Sequence, residues 1–245
     1  MAAAFALTIL IISALSGCSS LPKAETFPEC YETEPTPQIE NKAVRAWFDG
    51  VQPIYAGWGL GTAFTVGEDD SYRYWITAHH VVGSYVHVKI GALDGLVIAL
   101  EKLHDLAIVR TLRTPEPIRI HRFVRATVGD RAVGIGYSYF SRRLVTMIHI
   151  GYVVSKDFTG RNGNWKIVTN GGGRGGMSGG PLFNTNRAVI GICSFFADTG
   201  INRVANPTEL CYVPGIVAGK FWHNVQKDII AANAVNNPQE TPNES

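Results

Sequence analysis

About a dozen short β-rich runs, with no long helix between them, constrain this chain more than any other feature. Ten of them lie at residues 61–66, 72–77, 85–90, 95–100, 106–109, 132–136, 144–154, 165–169, 188–196 and 210–213. Gly, Asp and Ser turn signals separate them. Parallel strands need long crossover connections, usually helical, and the gaps here hold none. The pattern therefore predicts antiparallel sheet, closed as a sandwich or as barrels. Only the end of the chain changes period. Val217, Phe221, Val225 and Ile229 recur at every fourth position, so one stripe of a C-terminal helix faces the sheets. The expectation is an all-β domain closed by one helix.

The ends of the chain read differently. Residues 1–15 carry no charge and include Phe5, Leu7, Ile9, Leu10, Ile11 and Ile12. That run is short for a bilayer span and suits the apolar core of a signal peptide. It leads into Leu15-Ser16-Gly17-Cys18, which resembles the lipobox of bacterial lipoprotein signal peptides, although Met1-Ala2-Ala3-Ala4 lacks the usual basic start. The resemblance implies removal of residues 1–17 and lipidation of Cys18, which would hold the protein on a membrane surface of the bacterial cell envelope, facing periplasm or exterior. Residues 18–43 hold four prolines and five glutamates against two lysines, a composition of extended tethers. Residues 44–234 are the expected folded domain. Residues 235–245, rich in Asn, Pro, Glu and Ser, read as a disordered tail.

Charge and cysteine count exclude several classes. The net charge is +2, and the tether's −3 leaves +5 for residues 43–245. That is too diffuse for nucleic acid to be the main partner. Four cysteines are too few for a disulfide-stapled mini-protein.

Three segments carry chemistry. In Gly175-Gly176-Met177-Ser178-Gly179-Gly180-Pro181, glycines on both sides leave a serine hydroxyl unshielded and let neighbouring N–H groups converge where an oxyanion could sit. A glycine-rich turn whose serine only caps the next element would look the same. Trp75-Ile76-Thr77-Ala78-His79-His80-Val81-Val82 is a strand ending in imidazoles. Two histidines could suggest a metal, but no compact ligand set accompanies them. His104-Asp105-Leu106-Ala107-Ile108-Val109 sets a carboxylate beside an apolar strand, where an acid is costly to bury unless paired.

Together these segments resemble the trypsin-like serine proteases of chymotrypsin fold. Gly-x-Ser-Gly-Gly-Pro, Thr-Ala-x-His-Val and Asp-x-Ala-Ile-Val stand in that family's order of His, Asp and Ser. Gly59, Gly61 and the following Thr62-Ala63-Phe64 resemble its glycine-rich strand before the histidine, and the likeness runs from about residue 55 to 230. The resemblance implies two antiparallel six-stranded β-barrels with a C-terminal α-helix. It implies a serine endopeptidase acting on protein or peptide substrates with no cofactor. His80 would be the base, Asp105 its orienting carboxylate and Ser178 the nucleophile, with His79 a neighbour. The N–H groups of Gly176 and Ser178 would form the oxyanion hole. Gaps of 25 residues from His80 to Asp105 and 73 from Asp105 to Ser178 resemble compact bacterial and viral members.

The same resemblance assigns a substrate groove. Ser194 would hydrogen-bond Asp105, and the backbone from Phe195 onward would pair with an extended substrate. The specificity floor falls on Gly172, with Phe196 and Leu210 as walls. Without a carboxylate at the floor, a basic preference is excluded, and a narrow pocket for small apolar side chains is expected. Cys193 and Cys211 sit on strands that neighbour each other in this fold, as a possible disulfide or two buried thiols. Cys30 lies in the tether. No metal site is expected. A catalytically idle, lipid-anchored peptide-binding module of the same fold is the competing reading.

Overall fold

A computed structural model describes residues 41–155, 167–169, 174–196 and 210–236. The expected signal peptide, Cys18, Cys30, Gly172 and most of the tail lie outside these described residues.

Helix α1 (Lys42–Phe48) begins inside the expected tether, because Asn41 caps it: its Oδ1 accepts from the N–H groups of Ala43 at 2.9 Å and Val44 at 3.4 Å. Its last turn docks by aromatic contact, Phe48 edge-on to Tyr137 at 5.6 Å and Trp47 against Phe183 at 5.8 Å.

Six strands follow: β1 (Val51–Ala56), β2 (Gly59–Glu68), β3 (Tyr72–Thr77), β4 (His87–Ile90), β5 (Leu93–Glu101) and β6 (Leu106–Leu112), with a short helix α2 (His79–Val82) after β3. They pair antiparallel in the order β1-β2-β3-β6-β5-β4, and β4 returns to β1 to close a barrel. Strand β1 was not legible in the sequence, since Pro53 interrupts it, yet it pairs with Thr62 in register. The barrel interior holds Ile54, Ala63, Trp75, Val88, Ile90, Ala107 and Val109. Trp75 satisfies its buried indole N–H on Thr111 Oγ1 at 3.0 Å.

The second set comprises β7 (Arg131–Phe140), β8 (Arg143–Ser155), β9 (Ile167–Thr169), β10 (Pro181–Phe183), β11 (Val189–Phe196) and β12 (Leu210–Pro214). β7 and β8 form a hairpin in unbroken register from Arg131↔Tyr152 to Phe140↔Arg143. Its two-residue turn, Ser141-Arg142, has positive φ at both positions, the combination whose twist matches the flanking strands. β10 pairs with both β7 and β11, and β12 with both β11 and β9. Three-residue β10 was also missed, because a run so short has no period of its own.

The molecule is thus mostly β, with a closed six-stranded barrel and a C-terminal helix α3 (Gly215–Asn236). The expected stripe Val217, Phe221, Val225 and Ile229 packs on the main core, and the deepest residues lie one position on, at Ala218 and Trp222. That core gathers Phe64 and Ile76 from the first sheet with Ile135, Val189 and Ile192 from the second. Burying side chains from both sheets at one seam fixes the two sheets against each other.

Candidate active site

The site begins where β3 and β6 lie side by side. Their register pairs Thr77 with Ala107, so the residues leaving β3 meet the turn entering β6. Ala78 is extended and His79 opens α2, which aims His80 back at that turn. Asp105 sits there with φ of 58°, a left-handed conformation that Asp tolerates better than most residues. It holds the histidine pair at three points and Ser194 at a fourth. Its carbonyl accepts from the His79 N–H at 3.1 Å, and its Oδ1 accepts from the His80 N–H at 2.8 Å. Its Oδ2 lies 2.7 Å from His80 Nδ1 and accepts from Ser194 Oγ at 2.6 Å. Ser194 is fully buried.

Burial alone would push the Asp105 carboxyl up. The hydrogen bond and charge of His80, with the Ser194 hydroxyl, outweigh it and hold the group below the usual carboxylate value. An ionised carboxylate only accepts, so Nδ1 carries the imidazole hydrogen and Nε2 keeps its lone pair. His80 is 47% exposed against 21% for Asp105, so the open side of the ring faces solvent.

Ser178 lies in a chain of turns. Met177 N–H donates to Arg174 O at 3.2 Å and Gly180 N–H to Met177 O at 2.9 Å. Cys193 and Gly180 exchange ends with this segment: Gly179 N–H reaches Cys193 O at 2.7 Å, and Cys193 N–H reaches Gly180 O at 2.8 Å. Gly176 and Gly179 have φ of 96° and 85°. A Cβ on Gly179 would also stand 2.2 Å from Thr62 O, so this position admits glycine alone. The backbone N–H groups of Gly176 and Ser178 have no acceptor among the described residues. Ser178 Oγ donates to Ser194 O at 3.5 Å, and among the described residues no hydrogen bond joins it to His80.

Two threonines to which the sequence motifs assign no role tie this segment to the first barrel, Thr62 directly and Thr77 through Thr62. Thr62 is fully buried; its N–H donates to Ser178 O at 2.8 Å and its Oγ1 to Gly176 O at 2.8 Å, while accepting from Tyr137 N–H at 3.0 Å. Thr77 Oγ1 donates to Thr62 O at 2.8 Å. The available signal was a pair of threonines at interior positions of two apolar strands, where a hydroxyl needs a partner.

The expected groove residues are placed in part. Phe195 and Phe196 follow Ser194 on β11, opposite Cys211 and Leu210 of β12. Of the two cysteines considered as a pair, Cys193 is buried with Tyr212 as its register partner, and a bulge then sets Cys211 opposite Phe195.

This geometry has relatives. Residues 61–192 match the model of the trypsin-like peptidase domain. The "probable periplasmic serine endoprotease DegP-like" of Chlamydia trachomatis is 31% identical over 145 residues, which is 54% of this chain and 27% of that protein. The chain thus matches only about a quarter of that relative's length. Two crystal structures of Rv3671c from Mycobacterium tuberculosis, both inactive forms, share the fold. One superposes with a TM-score of 0.60 at 20% identity, covering 77% of this chain and 95% of the other. The second gives 0.58 at 22%, covering 75% and 94%. With the domain model spanning more than half of its residues, the chain belongs to the trypsin-like peptidase domain family.

Proposed function

We propose that the protein is a serine endopeptidase that cleaves peptide bonds through His80, Asp105 and Ser178. The observation that carries this reading is the shared Asp105 carboxylate. Its Oδ2 binds His80 Nδ1 at 2.7 Å and Ser194 Oγ at 2.6 Å, while the N–H groups of Gly176 and Ser178 have no acceptor among the described residues. Serine is a poor nucleophile unaided. As substrate enters, Ser178 Oγ turns from Ser194 O toward His80; such bonds tighten only in the complex. Oγ attacks the scissile carbonyl carbon as His80 Nε2 takes its proton. The oxyanion accepts from the Gly176 and Ser178 N–H groups, each such donor contributing about 3 kcal/mol to the transition state. The carbon–nitrogen bond then breaks, and His80 returns the proton to the leaving amine. Water, deprotonated by the same imidazole, releases the acyl group and restores Ser178. Asp105 stays ionised and stabilises the imidazolium.

The pairing of β7 to β12 supports reading the second sheet as a second six-stranded barrel, with the reactive groups in the cleft between the two. Residues 44–234 are the catalytic unit in this reading, and residues 18–43 its tether. The residues before Cys18 support lipid anchoring in the bacterial envelope, and the Chlamydia relative is periplasmic by name. The lack of a carboxylate at residue 172 and the bulk of Phe196 and Leu210 support a preference for small apolar residues before the scissile bond.

The test is covalent labelling. A fluorophosphonate should add one adduct to the protein and none to its Ser178→Ala or His80→Ala variants. Absence of adduct from the folded parent would refute the mechanism. A Cys18→Ala variant that still partitions with membranes would refute the anchor.

A further inference from the structure

A cavity of about 540 Å³ opens beside Gly176 and is lined by Trp58, Leu60, Ser138, Tyr139 and Arg174. Trp58 and Leu60 come from the β1–β2 hairpin, Ser138 and Tyr139 from the end of β7. None of its lining residues belongs to β11 or β12, the strands assigned above to the acyl side of the substrate. On the endopeptidase reading, a chain with its acyl side along β11 and its carbonyl oxygen on the Gly176 and Ser178 N–H groups would continue past the cleaved bond on the other side of Gly176, toward this cavity.

Its chemistry is one-sided. Among the described residues Arg174 is the only charged one on its wall. The guanidinium lies 5.1 Å over the ring of Phe140, which orients it without neutralising it. Among the described residues Arg174 has no carboxylate partner. Trp58, at 69% exposed, and Tyr139, at 40%, present rings to solvent beside it. A fixed cation with planar donors, set among rings and one leucine, matches a carboxylate on a short apolar stem.

We infer that this cavity is a leaving-group subsite that selects a carboxylate through Arg174. The inference rests on the serine endopeptidase reading for the direction of the substrate. The carboxylate has two sources, an Asp or Glu side chain just after the scissile bond or the free C-terminus of a short leaving segment.

Quenched peptides sharing one acyl side test this. They carry Glu, Gln or Lys after the scissile bond with an amidated end, and a further Gln peptide ends in a free carboxylate. Each is scored for cleavage by the parent protein and by Arg174→Glu, and for binding to Ser178→Ala protein. Because Arg174 is exposed, Glu should exceed Gln by no more than about fivefold at low salt, and by less at high salt. In Arg174→Glu the order should invert in favour of Lys, a gain that misfolding cannot mimic. A preference confined to the free carboxylate would support the subsite and identify the terminus as its ligand. Equal cleavage and equal binding of all four peptides would overturn it. Charge-ordered binding without cleavage or fluorophosphonate labelling would support the subsite and refute the endopeptidase reading alone.

Discussion

Acidification should loosen the seam between the two sheets through one histidine. His121 lies in the connection from β6 to β7 and is 4% exposed. Its N–H donates to Thr65 O of β2, and its ring packs on Phe64 of β2 at 5.7 Å and Phe183 of β10 at 5.1 Å. Nε2 lies 2.9 Å from Asp49 O, and a carbonyl only accepts, so Nε2 carries the hydrogen. Nδ1 is buried and has no partner among the described residues, so a second proton there would find no acceptor among them. Burial lowers the imidazole from 6.5 to about 4, with the Asp49 carbonyl opposing and the Arg119 charge adding to it. A histidine with a depressed folded value binds its proton more readily when unfolded. Stability is therefore intact above about pH 6.5 and falls as pH drops toward 4. The two values give a loss of about 2 kcal/mol between pH 7 and pH 5 from this group alone. Asp69 and Asp105 are both held below the usual carboxylate value of 3.8, so their losses come at lower pH. Urea unfolding of the parent and of His121→Phe at pH 7, 6 and 5 measures the difference. Phenylalanine keeps the ring contacts, gives up the bond to Asp49 O and cannot charge. The variant's stability should stay flatter by about 2 kcal/mol over this range. Parallel curves for the two proteins would refute the argument.

Three further outcomes follow from the same geometry. Thr62→Val removes the hydroxyl that joins Gly176 O to Tyr137 N–H; it should cost about 1–3 kcal/mol in chemical unfolding and slow fluorophosphonate labelling of Ser178. Ser194→Ala deletes a buried donor to the Asp105 carboxylate, and should cost about 1.5–3 kcal/mol by the same assay, since the bond is charge-assisted. Trp222→Ala empties the site where α3 packs over Gly67 and faces Tyr74 at 5.3 Å; a loss of about 3–5 kcal/mol in unfolding free energy is expected, with faster amide exchange in α3.

The strands were largely legible because alternation and turn residues are local. The run 72–77 became β3 without change, and 144–154 became β8 with one residue added at each end. The helix stripe at Val217, Phe221, Val225 and Ile229 was read correctly for the same reason. What escaped was weak locally and strong only in context. β1 contains a proline, β10 has three residues, and α1 is a capped helix of seven residues whose value lies in Trp47 and Phe48 reaching the far sheet.

The candidate site divides in the same way. His80, Asp105 and Ser178 stood out because each is set in a short motif, and a motif dictates its own backbone. The glycines around Ser178 permit the positive φ seen at Gly176 and Gly179. Only tertiary structure selected Thr62, which bonds a carbonyl 114 residues away. It also set Cys193 opposite Tyr212 and turned one histidine of seven into a buried, singly bonded wedge between sheets. Sequence determines which conformations a segment accepts. Which atoms meet across a barrel seam is decided by register and packing, where a one-residue bulge redirects every side chain beyond it.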